Sequence, residues 1–357
     1  YIVALVLHNF VFAEWGVPFS LTVCVTVFLI WLYTFRSGIK SIVWTDVLQT
    51  IVVVITLIVI IIEVITRLDF SLAELAKNML VSEKTRIFVF DDWHTKQNFF
   101  KQFVSGIFIV VVMTGLDQDQ MQKNLTCRNL REAKKNMYWY GAAFVPVNLL
   151  FLALGFLLLL FAEQNSIALQ GVVADDILPL IVKNNLGDAA LVMFVIGITA
   201  SAFNSADSAL TALTTSFSVD ILNVTDASPK RAERVRKLSH IGFSLVLVLV
   251  VLLFRAVNNK SVIDALYTIV SYTYGPLLGM FAFGLFTKWQ THDKAIPYIA
   301  ILSPVFCYAL NWFSTKYLSY QFGYELLMLN GAITFAGMMI AGKYKKQKQM
   351  KNFIFKT

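Results

Sequence analysis

The chain has 357 residues, 57% hydrophobic and 15% charged, with a mean hydropathy of +0.67 and a formal net charge of +8. So apolar a composition excludes an ordinary water-soluble domain and points to a chain that crosses a membrane many times. The positive balance is no sign of a nucleic-acid partner, because Lys and Arg cluster in short connections and form no basic groove.

Residues 1–12 read as the tail of an apolar span that begins without Met, which sets the expectation of an N-terminally truncated fragment. Fuller apolar stretches follow at 17–35, 45–66, 101–122, 138–162, 189–220, 238–256, 263–286, 296–314 and 325–342. Each is long enough for a hydrocarbon core of about 30 Å. Little strand alternation is seen, and helices are then the way to satisfy every backbone group in lipid. The expected fold is all-α, a polytopic transmembrane helix bundle over residues 1–342, with a basic tail at 343–357.

The connections alternate in character. Arg36 and Lys40, then Lys123, Arg128, Arg131, Lys134 and Lys135, then Lys230, Arg231, Arg234, Arg236 and Lys237, then Lys288 and Lys294, and finally the tail lysines all fall on one side if every span crosses once. Positive short loops mark the cytoplasmic side, so the C-terminus is expected there and the chain in the plasma membrane. The opposite side carries longer connections of mixed charge, 67–100 and 163–188, the second with an amphipathic stretch long enough for one short helix. Gly115 and Gly275-Pro276 are expected to break their spans, and carbonyls freed there bind ions or solute when they face a cavity and are otherwise met by a neighbouring helix.

Two polar constellations stand out. In 189–220, Ser201, Asn204, Ser205, Ser208, Thr211 and Thr215 recur at steps of three and four, which predicts one helical face with Asp207 beside it. Ser and Thr stripes also let membrane helices pack closely. A carboxylate buried among hydroxyls, however, is the donor set of a small hard cation and is costly in a membrane unless it lines a bundle interior or wet cavity. In the second constellation, Asp46 opens the span 45–66 at the depth where Lys123 closes 101–122. Leaving either charge alone would be costly, so the two are expected to touch. Catalytic motifs are missing. His8, His94, His240 and His292 are scattered, as are Cys24, Cys127 and Cys307, and no metalloprotease, nucleophile-elbow, P-loop or CxxC pattern occurs, so the chain is not expected to be an enzyme or to carry an organic cofactor.

Three segments, WTDVLQ from Trp44, GLDQDQMQKNLTCRNLREAKK from Gly115 and NSADSALTALTTSFSVDI from Asn204, resemble motifs of the sodium:solute symporter family, which includes sodium/glucose, sodium/proline and sodium/sialic acid cotransporters. The resemblance implies a LeuT-type inverted-repeat fold lacking core helices 1, 2 and most of 3, with Na+ as the co-transported ion. It implies that Ser205 gives a hydroxyl and Ser201 a backbone carbonyl to sodium, with Asn204 where the family usually has a second hydroxyl. Asp46, Asn204, Asp207 and Ser208 match a further sodium site of sialic acid transporters, where Asp207 stands in place of a serine. Lys123 replaces the usual arginine and, with Asp46, would gate ion exit. Substrate positions fall at Val110, Met113 and Thr114, at Phe144 where sugar transporters have a lysine, and at Thr268, Ser271 and Tyr272. The implied function is sodium-coupled symport of a small organic solute (a sugar, sialic acid, amino acid or other organic acid) across a lipid bilayer by alternating access, with no nucleic-acid partner and no required oligomer. The alternative is a membrane sensor that keeps the symporter fold without transport.

Overall fold

The computed structural model describes residues 1–12, 15–34, 39–91, 93–257 and 262–344. Arg36, Asp92, the side chains of Lys40 and Lys343, and the basic tail beyond Tyr344 lie outside what is described. The described elements in order are α1 (Ile2–Leu7), α2 (Phe19–Thr34), α3 (Ile39–Leu68), α4 (Leu72–Val81), α5 (Phe99–Val110), α6 (Gln118–Leu125), α7 (Leu130–Gln164), α8 (Ala174–Asn185), α9 (Asp188–Ser216), α10 (Pro229–Val257), α11 (Val262–Phe286), β1 (Trp289–Thr291), α12 (Ile296–Tyr317), α13 (Leu326–Ile340) and β2 (Gly342–Tyr344). Among the described residues, six helices are long and apolar enough to cross a membrane, and Phe99–Gly115 with Gln118–Leu125 makes a seventh if the interrupted pair is one span. The stretches 17–35 and 325–342 correspond to shorter apolar helices, Phe19–Thr34 and Leu326–Ile340.

Several helices start earlier than their apolar stretch. α7 begins at Leu130, where the Asn129 side chain accepts from the Glu132 amide at 2.9 Å, and α10 begins at Pro229. Hydropathy marks only the lipid-facing part of a helix, whereas a cap or an N-terminal proline sets where the backbone turns helical. α4 carries a full capping box: the Glu74 amide donates to Ser71 Oγ at 3.3 Å and Glu74 Oε2 accepts from the Ser71 amide at 2.8 Å. That backbone hydrogen bond, with the Ser71 hydroxyl, holds the Glu74 carboxyl below its usual range.

The chain divides into two compact units. The first comprises Tyr1–Thr85 and Gln118–Val262. Its main core joins Leu57, Ile60, Val64 and Leu68 of α3 to Leu154, Leu157, Leu158 and Phe161 of α7, and to Ile181 and Val182 of α8. The amphipathic stretch after 163 thus forms a helix that lies on this bundle. α3 and α9 make the most extensive helix pair. Their approach is close because Gly197 has no side chain: a Cβ there would lie 2.5 Å from Thr56 Oγ1, and that hydroxyl donates to the Met193 carbonyl at 3.0 Å. Between helices in lipid, close packing of small residues and buried polar bonds replaces the hydrophobic drive that acts in water.

The second unit comprises Arg86–Asp117 and the described residues from Ile263 onward. It corrects one expectation. Gly115 does interrupt its span, as a π turn over Val111–Gly115 ends α5. Gly275-Pro276 does not, and α11 runs unbroken from Val262 to Phe286. Pro276 cannot donate to the Tyr272 carbonyl four residues back. The buried Asn330 of α13 replaces that donor, its Nδ2 reaching the Tyr272 carbonyl at 2.9 Å and the Ser271 carbonyl at 3.2 Å. Ser303 of α12 donates in turn to Asn330 Oδ1 at 2.5 Å. Gly275 admits the asparagine, since a Cβ there would lie 2.3 Å from its Cγ, and Gly279 likewise lets α11 approach the Gly331 carbonyl. The freed carbonyl is therefore spent on packing and is not offered to an ion.

β1 and β2 pair antiparallel with Trp289 opposite Tyr344. The start of the basic tail thus sits at the same end of its unit as the Lys288–Lys294 connection, in keeping with the alternation of loops.

Candidate ion-binding site

All six residues expected to bind sodium, and Lys123, belong to the first unit. The expected polar face of α9 forms with Asp207 at its margin, and its two edges meet different surroundings. At 3.6 residues per turn, Ser205 lies about 40° from Ser201 around the helix, but Asp207 lies about 120° from it in the other sense. Ser201 and Ser205, with Ala202, Ala206 and Ala209, line a cavity of about 300 Å³ closed by α1, α2 and α10. Its wall is otherwise aliphatic, apart from Tyr1 and Thr26. The two serine hydroxyls are therefore the polar feature that α9 contributes there.

Asn204 lies about 60° from Ser201 on the Asp207 side, and Ser208 only about 20° from Ser201 in the same sense. Asn204 Nδ2 stands 3.5 Å from Thr50 Oγ1 of α3, the outer limit of a hydrogen bond. Asp207 is fully buried. Its Oδ1 accepts from the Ser208 amide at 2.6 Å, whereas Oδ2 is buried with no hydrogen-bond partner. The Ser208 hydroxyl is likewise buried and unpartnered. A buried carboxylate oxygen and a buried hydroxyl, adjacent in sequence and both unsatisfied, are costly as they stand and are a reason to expect a ligand. A hard cation takes such oxygens.

Asp207 is also within electrostatic reach of Asp46, Lys123 and Asp119. The expected contact forms: Lys123 Nζ lies 2.8 Å from Asp46 Oδ2. It also lies 2.9 Å from Asp119 Oδ2, one turn back on α6. Three side chains only 14–21% exposed thus hold two negative charges against one positive, and Asp207 adds a third carboxylate nearby. That surplus favours a cation in the gap, since like charges at short range repel strongly in a low-dielectric setting. Lysine serves here as a point charge shared between two carboxylates, where a planar guanidinium would fork onto one.

Asp119 and Thr50 are the members that sequence reasoning missed. Both carry a readable signal, because Asp119 precedes Lys123 by one helical turn and Thr50 follows Asp46 by one.

The expected solute positions are split between the units. Phe144 is in the first, on the exposed side of α7. Val110, Met113, Thr114, Thr268, Ser271 and Tyr272 are in the second. Met113 packs with Tyr267 and Tyr274 around Val112 and Leu327, and Val110 is exposed. Ser271 is buried and its hydroxyl donates to the Tyr267 carbonyl, as that of Thr268 does to Asp264. Tyr272 retains its polar end, and its hydroxyl accepts from Asn311 Nδ2 at 3.3 Å.

The profile of the sodium:solute symporter family matches residues 8–297. The chain belongs to that family. Members are transporters and not enzymes. Among similar proteins, the sodium/sialic acid symporter SiaT of Proteus mirabilis is 23% identical over 83% of this chain and 62% of its own length. The sodium/sialic acid symporter NanT of Aliivibrio fischeri is 24% identical over 74% of this chain and 53% of its own length. The chain therefore spans between half and two thirds of these relatives. The solved structure of a Na+-coupled sialic acid symporter, substrate-bound and outward-open, superposes with a TM-score of 0.79 over 97% of this chain and 71% of that one, at 19% identity. This symporter-family chain thus has the LeuT-like helical fold, and with its six apolar helices it is a multi-pass membrane protein.

Proposed function

We propose that this chain is the ion-binding part of a sodium-coupled symporter that moves a small organic solute across the plasma membrane by alternating access. Residues 1–342 are its membrane domain, and the basic residues that follow are cytoplasmic. Family membership supports the coupling ion, and the similarity to two sialic acid symporters makes an acidic sugar the first solute to test.

The carrying observation is the buried pair of unsatisfied oxygens, Asp207 Oδ2 and Ser208 Oγ, with Asp207 within electrostatic reach of Asp46. In this reading one sodium ion is held on the Ser201–Ser205 face, with Asn204 at its edge. A second ion is held between Asp207, Ser208 and Asp46. Sodium binds the outward-open state better than the inward-open state; that difference couples the ion to the conformational change, and the sodium gradient drives the solute. Lys123 competes with sodium for Asp46. Loss of the ion toward the cytoplasm lets the lysine close on the carboxylate, which makes release a one-for-one exchange of cations.

The test is uptake of radiolabelled sialic acid by proteoliposomes holding the intact protein, with and without an inward sodium gradient. Ser205→Ala should raise the sodium concentration for half-maximal uptake by about tenfold, the loss of one oxygen ligand worth about 1.4 kcal/mol. Uptake whose sodium dependence is the same in the variant would refute the site on the Ser201–Ser205 face. Should sialic acid not be taken up, a sodium-stimulated uptake of other organic acids or neutral sugars separates a wrong solute from a wrong mechanism.

A further inference from the structure

A second cavity in the first unit, of about 520 Å³, lies where the end of α9 meets α2, α6 and the first turns of α10. It shares no residue with the ion site described above, and polar side chains make up most of its lining. Thr214 of α9, Gln122 of α6 and Arg236 and His240 of α10 all border it, and no carboxylate does.

The hydrogen-bond inventory decides what this cavity offers. Thr34 Oγ1 lies 2.9 Å from the Ile30 carbonyl and 3.0 Å from His240 Nε2, so the hydroxyl and that ring nitrogen are already paired. Thr215 spends its proton on the Thr211 carbonyl and Thr126 spends its own on the Lys123 carbonyl. Gln122, in contrast, is 8% exposed with both amide atoms buried and unpartnered. Thr214 is 3% exposed, and its hydroxyl is unpartnered as well. The cavity thus presents an uncommitted amide donor, an uncommitted hydroxyl and an exposed guanidinium at its rim; no carboxylate is in the lining, and Glu233 lies within electrostatic reach of that guanidinium. A metal cation meets a positive charge there and finds no anionic ligand. An oxyanion satisfies all three, with the guanidinium able to fork onto two of its oxygens.

We infer that this cavity is a binding site for a small oxyanion, a carboxylate or a phosphate, held by Arg236, Gln122 and Thr214. A ligand so held ties α6 to α9 and α10, and so bears on the helix that carries Lys123.

The test is thermal unfolding of the intact protein in detergent, with sodium and ionic strength fixed while phosphate or acetate replaces chloride. A saturable rise in melting temperature with either anion is expected, and which of the two produces it tells phosphate from carboxylate recognition. Arg236→Gln should raise the half-saturating concentration by about tenfold, as expected for loss of a charge-assisted forked bond. Gln122→Leu and Thr214→Val, which keep the side-chain shape, carry the same test should Arg236→Gln not fold. Arg128→Gln, an exposed arginine outside the cavity, should leave the midpoint unchanged. The inference is overturned if neither anion gives a saturable response, or if the response survives equally in all three cavity variants.

Discussion

Replacing Gly197 by alanine tests the α3–α9 contact on which the ion site depends. The added Cβ would stand 2.5 Å from Thr56 Oγ1 and 2.8 Å from both Thr56 Cβ and Cγ2. Carbon pairs rest at about 3.5–4.0 Å, so the helices must part by about 1 Å. Overpacking of this kind costs about 1–3 kcal/mol. Prising Thr56 from the Met193 carbonyl removes a hydrogen bond worth about 0.5–1.5 kcal/mol. Against this stands the usual helix preference for alanine over glycine, about 0.5–1 kcal/mol. The clash wins, with a net loss of about 1–3 kcal/mol. Unfolding of the intact protein in mixed micelles measures it, and Gly197→Ala combined with Thr56→Gly, which removes all three clashing atoms, should be destabilised by less than the sum of the single variants. Because Gly197 lies one turn before Ser201, the same displacement should also weaken sodium affinity. A Gly197→Ala variant as stable as its parent would refute the close approach and the coupling drawn from it.

Asp46→Asn should slow sodium-driven uptake more than it weakens solute binding, because the carboxylate for which Lys123 and sodium compete is gone; unchanged turnover in single-turnover flux measurements would count against the exit role. Asn330→Leu should cost about 2–3 kcal/mol, since it orphans the buried Tyr272 carbonyl, and Pro276→Ala in that background should recover part of the loss by returning the missing N–H. The double-mutant comparison, read by chemical unfolding, fails the argument if the alanine gives no recovery. The Glu74 carboxyl is held below its usual value by the Ser71 backbone, so its contribution to α4 is present above the usual glutamate range and lost as pH falls through the lowered value. Protection factors of the α4 amides, exchange rates corrected for the intrinsic rate at each pH, should therefore fall on acidification from about pH 5 to pH 3, and Ser71→Ala should blunt that dependence.

Much of the site was legible in the sequence because membranes make polar residues expensive. A carboxylate among hydroxyls in 189–220, and an aspartate and a lysine at matching depth, announce themselves against an apolar background, and the Asp46–Lys123 contact follows from that cost alone. What surrounds each edge of that polar face was less legible. Steps of three and four give one stripe with Asp207 at its margin, and only packed neighbours reveal that the Ser201–Ser205 edge borders a cavity while Asp207 is fully buried.

By itself, the sequence determined that the chain is helical, spans a membrane and keeps a row of oxygen-bearing side chains within one span, because hydropathy and residue spacing are local properties. Tertiary structure alone decided which polar groups are already spent. Pro276 looked like a break that frees a carbonyl, and Asn330 on another helix takes it up. Gln122 ends the apolar stretch 101–122, and the fold leaves both ends of its amide buried without a partner. Whether a buried polar group is free to bind depends on neighbours distant in the chain, and no local pattern encodes them.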